Sequence, residues 1–138
     1  MSIKGEIRWE GLDAFRNYVT RIIPNAIQES AEAATDRAGD DGLERMIQSC
    51  PVDTGDLRST CRKRSGREPT QAATFRVSLI AGGMRGKVAG KLVDYAGFVE
   101  HGTSRQRPQP YLLPALIYAS RRVEPYFWEE LSRRVELG

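Results

Sequence analysis

The sequence predicts an α+β protein in which a small, mainly antiparallel sheet packs against long N-terminal and C-terminal helices. Three observations carry that expectation. Near the N-terminus and again after Ala73 the apolar residues alternate with period two, as on half-buried strands. From Leu12 to Ile47 and from Leu113 to Val135 they recur every three to four residues, as on amphipathic helices. Glycine and proline clusters separate these stretches, but no internal repeat or low-complexity linker divides the 138 residues. Residues 1–138 are therefore expected to form one domain, large enough to bury about 70% of its unfolded surface without metals or disulfides.

A first strand is expected over Ile3 to Trp9, because Ile3, Ile7 and Trp9 share one parity with Gly5 while Lys4, Glu6, Arg8 and Glu10 take the other. Leu12, Phe15, Val19, Ile22 and Ile23 then open a helix, with Asp13 placing negative charge against the unpaired N–H groups of its first turn. Pro24 cannot donate to a carbonyl four residues back, so the helix either kinks there or ends and a second begins with Pro24 in its first turn. Ala26, Ile27, Ala31, Ala34 and Ala38 continue the stripe, and an alanine-rich face lets another element approach closely. Gly39 and Gly42 bracket Asp40 and Asp41. Each glycine costs about 1 kcal/mol relative to alanine inside a helix, so the helix is expected to loosen here before Leu43, Met46 and Ile47 restore it up to Pro51.

A polar, edge-like strand follows from Ser59 to Arg64, with a turn at Ser65-Gly66. It leads to a second strand in which Phe75, Val77 and Leu79 alternate with Thr74, Arg76 and Ser78. Gly82 to Gly90 has four glycines and no usable period, which predicts a mobile connection. Leu113, Leu116, Ile117 and Ser120 start a C-terminal helix that Pro125 should interrupt. Phe127, Trp128, Leu131 and Val135 then form a second amphipathic piece.

Lys and Arg number 21 against 18 Asp and Glu, a net charge of +3. That mild excess raises a nucleic-acid reading, which the distribution must decide. Arg58, Arg62, Lys63, Arg64 and Arg67 cluster, and Arg105, Arg107, Arg121, Arg122, Arg133 and Arg134 follow, but acidic residues interleave with the C-terminal set. No helix-turn-helix, RNA-recognition or zinc-finger signature is present. Solvated faces and ion pairs between subunits explain most of this charge, and proximity to DNA as the lining of a conduit is compatible with it without base readout. No apolar run approaches the ~18–20 residues needed to cross a bilayer, so no membrane partner is expected. Nothing at the N-terminus resembles a secretion signal, and Cys50 and Cys61 match no zinc, haem or thioredoxin spacing. They are expected as free thiols in a protein made in the cytoplasm.

Catalytic and ligand-binding chemistry finds little purchase. His101 is the single histidine, and pairing it with Thr103 or Ser104 as a nucleophile lacks a G-x-S-x-G elbow or an evident orienting carboxylate. Asp53 and Asp56 form a carboxylate pair, yet Asp53-Thr54-Gly55 is accounted for as a structural turn in which Asp53 caps backbone N–H groups and Gly55 supplies a shape that a β-carbon forbids. Asp36, Asp40, Asp41 and Glu44 miss the calcium-loop template, and the glycine-rich loop lacks both phosphate-binding spacings. No catalytic residue, metal ligand or cofactor is expected.

The most informative stretch is Tyr95-Ala96-Gly97-Phe98-Val99-Glu100-His101-Gly102-Thr103, followed by Ser104-Arg105-Gln106-Arg107 and Pro108-Gln109-Pro110-Tyr111-Leu112-Leu113-Pro114-Ala115-Leu116. An apolar, aromatic half-turn runs into a glycine turn, a charged tip and three prolines before a helix opens. Such a segment presents a fixed hook to a neighbour. Together with Pro51-Val52-Asp53-Thr54-Gly55-Asp56-Leu57-Arg58-Ser59 it resembles the head-tail joining or tail-completion family of long-tailed bacteriophages. Members of that family carry P-x-D-T-G-x-L-R-x-S and, later, Y-A-x-x-V-E-x-G-T ending in P-x-L-x-P-A-L.

The resemblance implies the same α+β class and a non-enzymatic virion component of the tail and neck. That component caps the tail tube and joins it to the head-closure or connector protein as a homo-oligomeric ring, six-fold like the tail. On that reading Tyr95, Phe98, Glu100, Arg105, Arg107, Tyr111 and Leu112 form the subunit or partner interface, with the aromatic residues and Leu112 as anchors and the arginines as a charged rim. Two other classes stay open on the residues alone: a basic nucleic-acid-associated module, and a small hydrolase or toxin built on His101.

Overall fold

A computed structural model describes residues 3–6, 8, 10–52, 55–68 and 71–136. The chain is α+β. Helix α1 (Leu12–Asn17) passes through a π-helical turn (Tyr18–Ile22) into α2 (Ile23–Ser49). A short helix α3 (Asp56–Ser59) precedes strands β1 (Arg62–Glu68) and β2 (Gln71–Ile80), and helices α4 (Ala96–His101) and α5 (Leu112–Glu136) complete the order. Of the strand predicted over Ile3 to Trp9, the described residues Ile3–Glu6 and Arg8 are in no strand, and Ile7 and Trp9 lie outside the described residues. Among the described residues the sheet has two strands, β1 and β2, paired antiparallel.

Pro24 does not end the helix. The Ile23 N–H donates to the Tyr18 carbonyl, five residues back. This wider turn absorbs a proline that has no N–H and whose ring would crowd the carbonyl of Thr20. Beyond it, α2 and α5 lie side by side and antiparallel, tied by Arg122 to Asp41 at 2.7 Å, Arg37 to Glu130 at 2.9 Å and Arg134 to Glu29 at 3.5 Å. The buried seam of α2 runs at four-residue spacing through Ala26, Ser30, Ala34, Ala38 and Gly42, small residues that let the helices approach closely, to the larger Met46 in the core.

The helix runs unbroken through Gly39 and Gly42, contrary to the expected loosening, and the glycines are there for contact. A β-carbon on Gly39 would overlap Val77 Cγ1, and one on Gly42 would lie 2.9 Å from Ala119 Cβ and 3.0 Å from Leu79 Cδ1. Asp40 and Asp41 between them are paired, with Lys63 of β1 and Arg122 of α5 respectively. Pro125 likewise fails to divide α5. It sits on the exposed side, where water can satisfy the carbonyl that a proline leaves without a donor.

Ser65 and Gly66 lie in the middle of β1, opposite Val77 and Arg76, and not in a turn, since the pairing continues to Glu68 opposite Gln71. Lys63 and Arg67 of β1 bond Asp36 at 2.7 Å and Glu32 at 2.8 Å on α2, fixing the hairpin across the helix. The core gathers where the C-terminal end of α2 meets α3, the end of β2 and the start of α5: Met46, Cys50, Leu57, Leu79, Val93, Tyr111 and Ala115.

The glycine-rich connection after β2, expected to be mobile, is a small bridged loop. Gly83 N–H donates to Val93 O at 2.8 Å, Val93 N–H to Met84 O at 3.0 Å and Gly86 N–H to Lys91 O at 2.8 Å, with Arg85 and Leu92 facing each other across the bridge. Its tip is pinned to α3, because Asp56 Oδ1 accepts the N–H groups of Val88 and Ala89, each at 2.8 Å. Ser59 Oγ accepts that of Lys87 at 3.0 Å.

Candidate functional site

The hook begins at α4, which Gly102 terminates with φ +76°. Only glycine fits there. Besides the left-handed φ, a β-carbon would sit 2.7 Å from Pro108 N and 2.8 Å from Pro108 Cδ. Thr103 organises the charged tip: its N–H donates to Gln106 O at 3.0 Å, and its Oγ1 accepts the N–H groups of Arg105 and Gln106 at 3.2 and 3.1 Å. Gln109 N–H then donates to Val99 O at 2.8 Å, stitching the returning segment to α4.

Glu100 makes the join to α5. Its Oε2 accepts the N–H groups of Tyr111 and Leu112 at 2.7 and 2.8 Å, and its Oε1 accepts that of Leu113 at 2.8 Å. Three donors that a helix start leaves without partners are thus satisfied by one carboxylate at the positive end of the helix. Burial alone pushes this carboxyl up, but the three backbone donors outweigh it, with a smaller pull from His101, and hold it below the ordinary carboxylate range.

The seven residues expected at the interface therefore separate into two groups. Glu100, 8% exposed, and Tyr111, 1% exposed, are turned into the chain's own body, and Tyr111 Oη donates to Ala96 O at 3.1 Å. Both hold the hook in place and present almost nothing to a neighbour. Leu112 is half-buried against the core. Tyr95, Arg105 and Arg107 are exposed, and Phe98 is 61% exposed. Beside them opens a recess of about 390 Å³ whose walls include Pro51, Gly55, Leu57, Tyr95, Val99 and Arg107. The two motif blocks, some 40 residues apart in sequence, thus line one surface.

Gly55 has φ +86°, and a β-carbon there would also approach Val88 Cγ2 at 3.2 Å. Asp53 and Thr54, the other expected turn residues, lie outside the described residues. Asp56, weighed in sequence only as half of a carboxylate pair, is the buried clamp on the glycine loop, and Gly86 is the residue whose missing β-carbon lets the loop reach it. Thr60, wholly buried, donates to Leu57 O at 2.7 Å and accepts Gly82 N–H at 2.8 Å.

His101 is exposed on the last turn of α4. Cys50 and Cys61 are free thiols that donate to the Pro51 and Leu57 carbonyls, each at 3.7 Å, and burial pushes both up, Cys61 to about 12, so neither is a thiolate near neutral pH. Among the described residues no group of three or more His, Cys, Asp or Glu is placed to hold a metal ion, and no helix is long and apolar enough to cross a membrane.

No curated protein and no solved structure matches the chain. A protein-family model does, over residues 13–102, which takes in α2, the sheet, the pinned loop and α4. Its description is "Bacteriophage HK97-gp10, putative tail-component". With more than half of its length matched, the chain belongs to this HK97-gp10-like family of phage tail components.

Proposed function

We propose that this tail component caps the tail tube and joins it to the head connector as a six-fold ring, with the exposed part of the hook as the contact between neighbouring copies or with the connector. One observation carries the reading: Tyr95 and Arg107 line an open recess, with Phe98 and Arg105 exposed on the same hook, while Glu100, Gly102 and Tyr111 fix the backbone that holds them. A large exposed aromatic on a rigid frame loses little conformational freedom on docking, which is how interface anchors gain their energy. The pinned glycine loop, with Met84, Val88 and Leu92 exposed, supplies a second surface for an axial partner such as the tube. Residues 1–138 act as one domain in this scheme, made in the host cytoplasm and carried in the virion.

The nucleic-acid alternative is weakened by where the cations sit. Lys63, Arg67, Arg122 and Arg134 are held in ion pairs with Asp36, Glu32, Asp41 and Glu130, so much of the positive charge is already neutralised within the chain. Negative-stain microscopy of purified particles carrying a label on this protein tests the assignment. Label at the head-proximal end of the tail, with six-fold density, is the expected result. Label along the tube, at the distal tip or in the capsid would overturn it.

A further inference from the structure

The helical segment before Pro24 projects beyond the packed body. No residue of α1 or of the π-helical turn is buried, and Leu12, Val19 and Ile22, with 40 to 43% of their surface exposed, line one face of it. Where α2 continues, the corresponding stripe from Ala26 onward is covered by α5. Next to this arm, on the same helix, an open groove of about 510 Å³ runs between α2 and β2, lined by the apolar Pro24, Ile27, Ala31 and Phe75 and by polar residues that include Gln28 and Glu32.

We infer that the arm of one copy lies in this groove of the next, a lateral contact additional to the hook; the inference rests on the proposed ring. Four features point to a second copy as the occupant. The stripe from Leu12 to Ile22 is about 15 Å long, and the α2 wall from Pro24 to Thr35 is about 17 Å at 1.5 Å per residue, so the two match in length. Each surface carries apolar side chains, Leu12, Val19 and Ile22 on the arm and Ile27, Ala31 and Phe75 in the groove. Their charges are complementary: Arg16 and Arg21 on the arm have no ion pair among the described residues, while Glu32 lines the groove and, though bound to Arg67 of its own chain, offers a carboxylate that a second cation can share. Finally, arm and groove do not overlap, so each copy can give its arm to one neighbour and receive the arm of the other. That is the head-to-tail relation a closed ring requires, and two arms paired with each other would stop at a dimer. The π-helical turn lies between arm and groove, and such turns are frequent at functional sites.

The test places a photo-crosslinking amino acid at Val19 of the full chain, mixes isotopically heavy and light copies at millimolar concentration, and maps the products by mass spectrometry while light scattering follows association. Crosslinks from one copy to residues 27–35 or to Phe75 of another are expected. Ala31→Trp, which fills the groove, should abolish them with the circular dichroism spectrum unchanged. Association with crosslinks to another arm, to the hook or only within one copy would overturn the arm contact and leave the ring reading standing. Copies that do not associate at all would overturn it too, whereas absence of a ring on labelled particles would remove the ring reading itself.

Discussion

Replacing Glu100 with glutamine keeps the side chain's size and removes the charge that three backbone N–H groups share. The amide oxygen can still accept from Tyr111 and Leu112, but its NH₂ then faces the Leu113 N–H, donor against donor. Two bonds weaken from charged to neutral, a loss of about 1 kcal/mol each, and one buried donor is left unsatisfied at about 1–3 kcal/mol. Glu100→Gln should therefore destabilise the fold by about 3–5 kcal/mol, lowering the melting temperature by roughly 10–15 °C for a chain of this size. Because the folded carboxyl is held below its ordinary value, its contribution is full above the unfolded value of about 4.3 and is lost as pH falls through the folded one. Urea unfolding followed by circular dichroism at neutral and acid pH is the assay, and the gap between parent and variant should narrow in acid. Equal stability at neutral pH, or a gap that does not change with pH, would refute the assignment of Glu100 as the clamp on α5.

Gly39→Ala gains about 1 kcal/mol of helix propensity but forces a β-carbon into Val77 Cγ1. The net effect should be a loss of up to about 2 kcal/mol in thermal unfolding, with part of it recovered when Val77→Ala is added. Asp56→Asn weakens the acceptor for Val88 and Ala89 and should cost about 1–3 kcal/mol. It should also accelerate hydrogen exchange at those two amides while leaving the α2–α5 seam protected.

The helices and the hairpin were legible because their patterns are local: helical spacing in α2 and α5, and alternation at Phe75, Val77 and Leu79. What misled was also local. Gly39, Gly42, Pro24 and Pro125 read as breaks because each weakens an isolated helix, whereas tertiary contact decides their place. The glycines admit Val77, Ala119 and Leu79, and a wider turn absorbs Pro24. Ser65-Gly66 has turn composition yet sits within a strand whose register is fixed by Lys63 and Arg67 reaching across to α2.

At the hook, sequence found the segment but not which side chains face outward. Glu100 and Phe98 are two residues apart on one short helix, so opposite faces are expected of them. Knowing which face turns inward required the position of α5, a partner whose contact residues begin 11 positions later. Asp56 and the glycine loop were invisible as a pair because 32 residues separate Asp56 from Val88.

The central claim is that the exposed hook is an assembly surface whose aromatic residue Phe98 can be removed without harming the fold. Complementation of a phage lacking this protein with Phe98→Ala tests it most directly, counting joined particles by negative-stain microscopy and checking the purified variant by thermal unfolding. Truncating a central interface aromatic can cost more than about 2 kcal/mol of binding. The account predicts a melting temperature close to the parent's together with an excess of separate heads and tails. A folded Phe98→Ala variant that joins heads to tails as often as the parent would contradict it.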